Sequence, residues 1–591
     1  MSVRDSFDRR LTTVVVLVGL AFVALAARLF QLQVLESKTY QVLASDQHDI
    51  QATLIPKRGT VFFRDLSDGR VHPVAQDRDA WQMFVDPKTV KDIDREVSET
   101  SSIVGMTADE LRSKFLVTTS SYVVIAKDLS LDQVAAFRKQ RMPGIGLNKV
   151  LTRLYPETGV GGQIVGFVSN DDRGRRVGRY GVEGSFDNLL AGELGEITAE
   201  KDAVGRRLSI GHLNLKEARD GADIVLTIDR TIQYTACAKI REAVRHFQAE
   251  QGSVVILDPA TGAVLAMCSS PDFDPQAYGK ITNVGILNNP VTFSQYEPGS
   301  VFKPFTIAAG IDAEKITPRT TYVDAGAETM DGFTIRNSDK QAHGVQTMTQ
   351  VLEKSLNTGT IFVERLLGRD LFRSAVTRFG FGEKTRVGLT SEAKGNTDSL
   401  DRPGKIFAAT ASFGQGISVT PMQLVTGFGA LANNGMLVRP HLIQEIRYPD
   451  GRVEKMPTEQ VRQVIQPRTA ELISAMLVSV VENGHGKRAG VPGYYVAGKT
   501  GTAQIPNPSG GYLKQATIGS FAGYAPAEHP RFVMLVKIDR PATVEFAESS
   551  AAPVFGELAK FLLTYLQVPP ERSVRQTSEP TVSSFVTSSA R

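Results

Sequence analysis

Cysteine is scarce in this chain of 591 residues: only Cys237 and Cys268 occur. They do not form a C-x-x-C pair, so no zinc or redox motif can be built from them. One disulfide in an oxidising compartment and two small buried side chains are both open readings, and the residues favour the second. The eight histidines are scattered without an H-E-x-x-H, which leaves a metal site without support. Charge of one sign is also missing. The net charge is +4 with no long block of Lys or Arg, which argues against nucleic acid as a partner. What remains is a globular composition, 42% hydrophobic and 22% charged, too long for one core and therefore two or more domains.

Residues 1–10 carry Arg4, Arg9 and Arg10, and an apolar run follows over 11–27, interrupted only by Thr12, Thr13 and Gly19. At ~1.5 Å per residue that run spans roughly 25 Å, a little short of the ~30 Å hydrocarbon core. Leu29, Phe30 and Leu32 extend it, and Arg28 can snorkel. The expectation is an anchor over 11–33 with residues 1–10 in the cytoplasm and the rest outside. A cleaved signal peptide competes through Ala24-Leu25-Ala26, but the helical pattern continues unbroken through Val34.

Residues 36–218 mix short strands, turn signals and one amphipathic helix near 131–141, and read as an irregular, mostly extended domain. From 220 to 567 the pattern is α+β. It begins with a strand at 224–228 and a helix over 230–248 capped by Asp229. A hairpin 252–257/263–269 follows around Asp258-Pro259-Ala260-Thr261-Gly262. A helical middle section leads to strands at 494–504, 517–524 and 531–538, and a helix over 551–566 closes the domain. The expected core is a five-stranded antiparallel sheet packed by helices. Residues 568–591, rich in Ser, Thr and Pro, read as a disordered tail.

Three short elements carry chemistry. In Ser300-Val301-Phe302-Lys303 the spacing places a hydroxyl and an amine one turn apart at the start of a helix expected over 301–311. A hydroxyl needs a neighbouring base, and a lysine serves if burial or a second cation keeps it neutral. Ser355-Leu356-Asn357 lies at an interhelical junction, where Ser355 can relay a proton and Asn357 can orient a substrate amide. Lys499-Thr500-Gly501-Thr502 lies on a strand able to pair with an extended peptide. There Gly501 admits a close backbone, and Lys499 offers a cation to a carboxylate. Singly, each has an ordinary structural reading: a capping Ser with a surface Lys, a capping Ser and Asn, an edge strand with a gatekeeper Lys. Together, in the order S-x-x-K, S-x-N, K-T-G, they point to an acyl-transferring serine enzyme.

On these residues the sequence resembles the class B penicillin-binding proteins, especially the cell-division type. Tyr296-Glu297-Pro298-Gly299-Ser300, Ser355-Leu356-Asn357 and the stretch 497–504 look like that family's active-site boxes. Ala411-Ser412-Phe413-Gly414-Gln415-Gly416 with Val419-Thr420-Pro421 looks like its middle section. Arg58-Gly59-Thr60-Val61, Arg153-Leu154-Tyr155-Pro156 and Gly181-Val182-Glu183-Gly184 resemble its pedestal motifs. Phe63 stands where the family usually shows Asp. A longer turn, 64–69, replaces a compact one, and His485 stands where Thr is more common; we read His485 as neutral loop variation.

The resemblance implies a penicilloyl serine transferase fold behind a non-catalytic pedestal, or dimerisation-like, domain. It implies a stem-peptide substrate ending in D-Ala-D-Ala, covalent binding of β-lactams, and no metal or organic cofactor. Its expected partners are the lipid bilayer, a membrane-embedded glycosyltransferase and other division proteins. The expected mechanism has Lys303 as base, Ser300 as nucleophile, Ser355 as proton relay, and Lys499, Thr500 and Thr502 at the substrate carboxylate. An elongation-type transpeptidase, a non-catalytic division scaffold and a penicillin sensor are the alternative readings. A serine β-lactamase shares the motifs but needs neither the anchor nor the long N-terminal region.

Overall fold

The computed structural model describes residues 3–37, 49–140, 142–200, 213–507 and 509–572. By packing, the chain divides into two units. One comprises residues 1–57 and 192–221. It contains the helix Val3–Phe30, which runs on into a π-helical turn, Gln31–Leu35. Residues 11–35 of it form an unburied apolar span of 25 residues, long enough to cross a membrane. The same unit holds a three-stranded antiparallel sheet in the order Asp49–Leu54, Gly195–Glu200, Leu213–Lys216.

The second unit comprises residues 58–191 and 222–591. By packing, this unit draws on both the expected pedestal, 36–218, and the expected catalytic region, 220–567, and the reason is a sheet. Strand Asp223–Asp229 pairs in parallel with Val61–Arg64 and antiparallel with Ile443–Arg447. It belongs to a seven-stranded sheet that reaches from 453–455 to 123–129. Backbone hydrogen bonds thus tie the front of the expected pedestal to the expected catalytic region. The turn 64–69 takes part as well: the Leu66 N–H and the Tyr565 hydroxyl both donate to Asp229, which also caps the helix Arg230–His246 through the Ile232 N–H. Phe63 is fully buried in the core, an environment that would not accept the family's usual Asp.

The five-stranded antiparallel sheet runs in the order Val264–Ser270, Gln251–Leu257, Phe532–Asp539, Tyr512–Ala525, Ala497–Pro506. The first hairpin turns on Asp258, whose carboxylate accepts from the Ala260 N–H and the Thr261 hydroxyl, and on Gly262 at φ +77°. Helices Arg230–His246 and Ala551–Tyr565 pack on this sheet. Cys237 and Cys268 form a disulfide between helix Arg230–His246 and strand Val264–Ser270, correcting the favoured reading of two unpaired cysteines. Residues 568–572 are held on the domain, with the Glu571 N–H donating to the Gly493 carbonyl and Arg572 paired with Glu482. Residues 573–591, where the disordered tail was expected, lie outside the described residues.

The three pedestal motifs meet in one buried ion cluster. Glu183, wholly inaccessible, accepts from Arg58 Nε at 2.6 Å and from Arg153 Nε at 2.7 Å. Arg58 also binds Asp187, and Arg153 also binds Asp77 and the Gly59 carbonyl. At Gly59 a Cβ would lie 1.9 Å from the Ala222 carbonyl oxygen, so glycine is what lets this motif press against the start of the strand 223–229. Glu183→Ala leaves two buried guanidiniums without their shared carboxylate, and should cost about 3–5 kcal/mol. Chemical denaturation reads it, and a loss below ~1 kcal/mol, typical of an exposed pair, would contradict a structural role for the cluster.

Candidate active site

The serine motif is built on a tight turn. Gly299–Phe302 is a 3-10 turn, and the α-helix begins only at Lys303, running to Asp312. This corrects the helix expected from 301. In 3-10 geometry residues i and i+3 eclipse, so Ser300 and Lys303 share one side. Pro304 sits in the first turn of the helix, where no N–H is needed. Nine of the ten helix residues are buried. Behind them Phe302, Phe305, Phe381 and Phe428 pack with ring centroids 4.9–5.3 Å apart, a dense support that holds the helix start in place.

Two other segments lock the turn. The Gly299 N–H donates to the Gly414 carbonyl at 3.0 Å, and Tyr296 and Val419 exchange two backbone bonds. The Gly416 N–H donates to the Glu297 carboxylate. Thus the middle section, 411–421, cradles the serine loop. On the other side lies the edge strand Ala497–Pro506. A Cβ at Gly501 would come within 2.4 Å of Val301 Cγ2, so only glycine allows this approach. As the last strand of its sheet, this segment has one free edge for an extended peptide.

Four of the sequence-predicted side chains come together. Lys303 Nζ donates to the Ser355 carbonyl and lies 3.2 Å from Ser355 Oγ. Lys499 Nζ lies 3.1 Å from the same Oγ and bonds Thr500 through both its carbonyl and its hydroxyl oxygen. Both lysines are fully buried. Desolvation, and then the neighbouring Lys499 charge, hold Lys303 well below the ordinary lysine range. Desolvation lowers Lys499 to about 7, against the opposing influence of Glu548. Ser355 is buried and adopts φ +57°, a left-handed conformation that non-glycine residues rarely adopt without outside support.

The remaining predicted residues are placed differently. Ser300 is half-buried, and no hydrogen bond joins its Oγ to Lys303 Nζ. Such catalytic bonds are often long before substrate binds. Asn357 is the first residue of the helix Asn357–Leu367 rather than part of a loop, and its side-chain amide donates to the Arg336 carbonyl at 2.8 Å. Thr502 Oγ1 accepts from the Ala547 N–H, which leaves its hydroxyl hydrogen for a ligand. Sequence reasoning missed Ala547 and the segment 324–337, because nothing local to either marks a contact with motifs so far along the chain. His485 pairs with Glu548 at 2.9 Å. No group of His, Cys, Asp and Glu suited to a metal is found among the described residues.

The comparisons agree with this geometry. Residues 252–560 match the penicillin-binding protein transpeptidase domain, and residues 53–226 match the penicillin-binding protein dimerisation domain. The chain is 30% identical to stage V sporulation protein D of Bacillus subtilis, over 96% of this chain and 87% of that protein. It is 29% identical to peptidoglycan D,D-transpeptidase FtsI of Escherichia coli K12, over 86% of this chain and 84% of that protein. A crystal structure of penicillin-binding protein 3 of Mycobacterium tuberculosis, complexed with aztreonam, superposes with a TM-score of 0.67 at 28% identity. That match covers 88% of this chain and 99% of the other. With the serine turn, the two buried lysines and the glycine-bearing edge strand in one place, the chain belongs to the class B penicillin-binding proteins.

Proposed function

We propose that this protein is a serine D,D-transpeptidase that cross-links peptidoglycan stem peptides during septal wall synthesis and binds β-lactams covalently. The observation that carries the reading is the convergence of Lys303 and Lys499 on Ser355 beside the Ser300 turn. Neutral Lys303 takes the Ser300 proton as Oγ attacks the penultimate D-Ala carbonyl. The new ester bond forms as the peptide bond to the terminal D-Ala breaks. Ser355 passes the proton to the departing amine. An amine from a neighbouring strand then attacks the ester, and its proton returns to Ser300 through Lys303. Backbone N–H groups of Ser300 and Thr502 hold the oxyanion, one such donor being worth ~3 kcal/mol. Asn357 orients the substrate amide. Protonated Lys499, with Thr500 and Thr502, holds the terminal carboxylate, while Gly501 admits the substrate backbone.

The apolar helix supports a single-pass anchor, with residues 1–10 in the cytoplasm and the catalytic region outside. A membrane-embedded glycosyltransferase and other division proteins are the partners this placement suggests. Residues of the dimerisation match then serve as the pedestal for the transpeptidase region.

Fluorescent penicillin should label the wild-type protein at Ser300 and fail to label Ser300→Ala; equal labelling of the variant, seen on a denaturing gel, would overturn the nucleophile. Lys303→Ala should slow acylation by roughly 10²- to 10⁴-fold, the usual worth of a general base, and a rate within threefold of wild type would remove Lys303 from that role. The pH dependence of acylation should be bell-shaped. Below the lowered Lys303 pKa the base carries a proton and the rate falls. Above about 7 Lys499 loses its charge and carboxylate binding weakens. Lys499→Arg should extend the alkaline side, because a guanidinium stays charged, and an unchanged alkaline limb would contradict this assignment.

A further inference from the structure

The Ser355-Leu356-Asn357 junction does not hold itself. Helix Asn357–Leu367 begins after Leu356, which offers no capping side chain, and Ser355 sits at φ +57°. The missing cap comes from another segment. Asn337 Oδ1 accepts from the Asn357 N–H at 3.0 Å and from the Thr358 N–H at 3.3 Å. Its Nδ2 faces the other way, donating to both Asp324 carboxylate oxygens at 3.0 and 2.9 Å and to the Gln341 carbonyl at 3.2 Å. With two N–H groups on one side and a carboxylate on the other, only one orientation of the amide fits.

Asp324 is pinned in turn. It accepts from the Gly326 N–H, the His343 N–H and the Thr358 hydroxyl. Both side chains are almost wholly buried, Asn337 at 2% and Asp324 at 1% exposure. The same segment also fixes the Asn357 side chain through the Arg336 carbonyl. Asn337 therefore holds the backbone two residues after Ser355, and among the described residues it is Ser355 that hydrogen-bonds both lysines.

We propose that the buried Asn337–Asp324 pair is the positioning element of the reaction: it caps the helix after Ser355 from outside and thereby fixes Ser355 between Lys303 and Lys499. A carboxamide can bridge two backbone donors and a carboxylate in this way. Neither residue touches substrate; both act through the junction. The inference rests on the proposed acylation of Ser300, so wild-type labelling in the same assay tests that reading separately.

The test is the rate of acylation by fluorescent penicillin in three full-length variants, with the melting temperature read alongside. Asn337→Ala should acylate roughly 10- to 100-fold more slowly, the scale of a misplacement near 1 Å, and its acidic limb should move to higher pH as water reaches Lys303. Asn337→Asp should be at least as slow, because two buried carboxylates then face each other. Asp324→Asn alone should also slow. Wild-type acylation and an unmoved pH profile in Asn337→Ala overturn the proposal. So does an Asp324→Asn variant that acylates at the wild-type rate.

Discussion

Two lysine amines share one serine hydroxyl, and the rest of the molecule is organised around that contact. Lys303 and Lys499 are both fully buried within hydrogen-bond reach of Ser355 Oγ. Two ammonium groups so close and so dry repel each other and lose hydration, so one of them gives up its proton. Among the described residues no carboxylate forms an ion pair with either. Under the proposed mechanism the outcome is a neutral amine beside the Ser300 turn and a cation beside the edge strand.

The fold brings these groups together through close backbone approach. Glycine at 299, 414 and 501 lets the serine turn, the middle section and the edge strand touch without intervening side chains. The aromatic cluster behind Lys303 keeps the turn from yielding. The strand 223–229 and the Arg58–Glu183–Arg153 cluster join the N-terminal motifs to the same unit, so mechanical continuity runs from the motif 58–61 into the catalytic region.

The three elements proposed to be catalytic were legible because each needs a fixed residue pattern over a few positions. The five-stranded sheet was legible because its strands are apolar runs with short links. The pairing that ties the two regions into one packed unit was not, since a parallel contact between 61–64 and 223–229 leaves no local mark on either strand. The 3-10 turn at Ser300 was missed because its spacing is that of a helix start; the eclipsed geometry comes from Gly299 and the contact with Gly414. The sequence marked neither Asn337 nor Asp324, and only the fold shows that Asn337, held by Asp324, caps a helix that begins twenty residues further on. The cysteine pairing stayed open, with the unpaired reading favoured, because spacing alone does not fix the distance between a helix and a strand.

Carbon NMR of the detergent-solubilised protein labelled with ¹³Cε-lysine, assigned with Lys303→Ala and Lys499→Ala, reads the protonation of the buried pair directly. Two resonances should titrate apart from all others, with the Lys303 signal already that of a neutral amine at neutral pH. If both signals titrate with the solvent-exposed lysines near about 10.4, Lys303 carries its proton and cannot be the base.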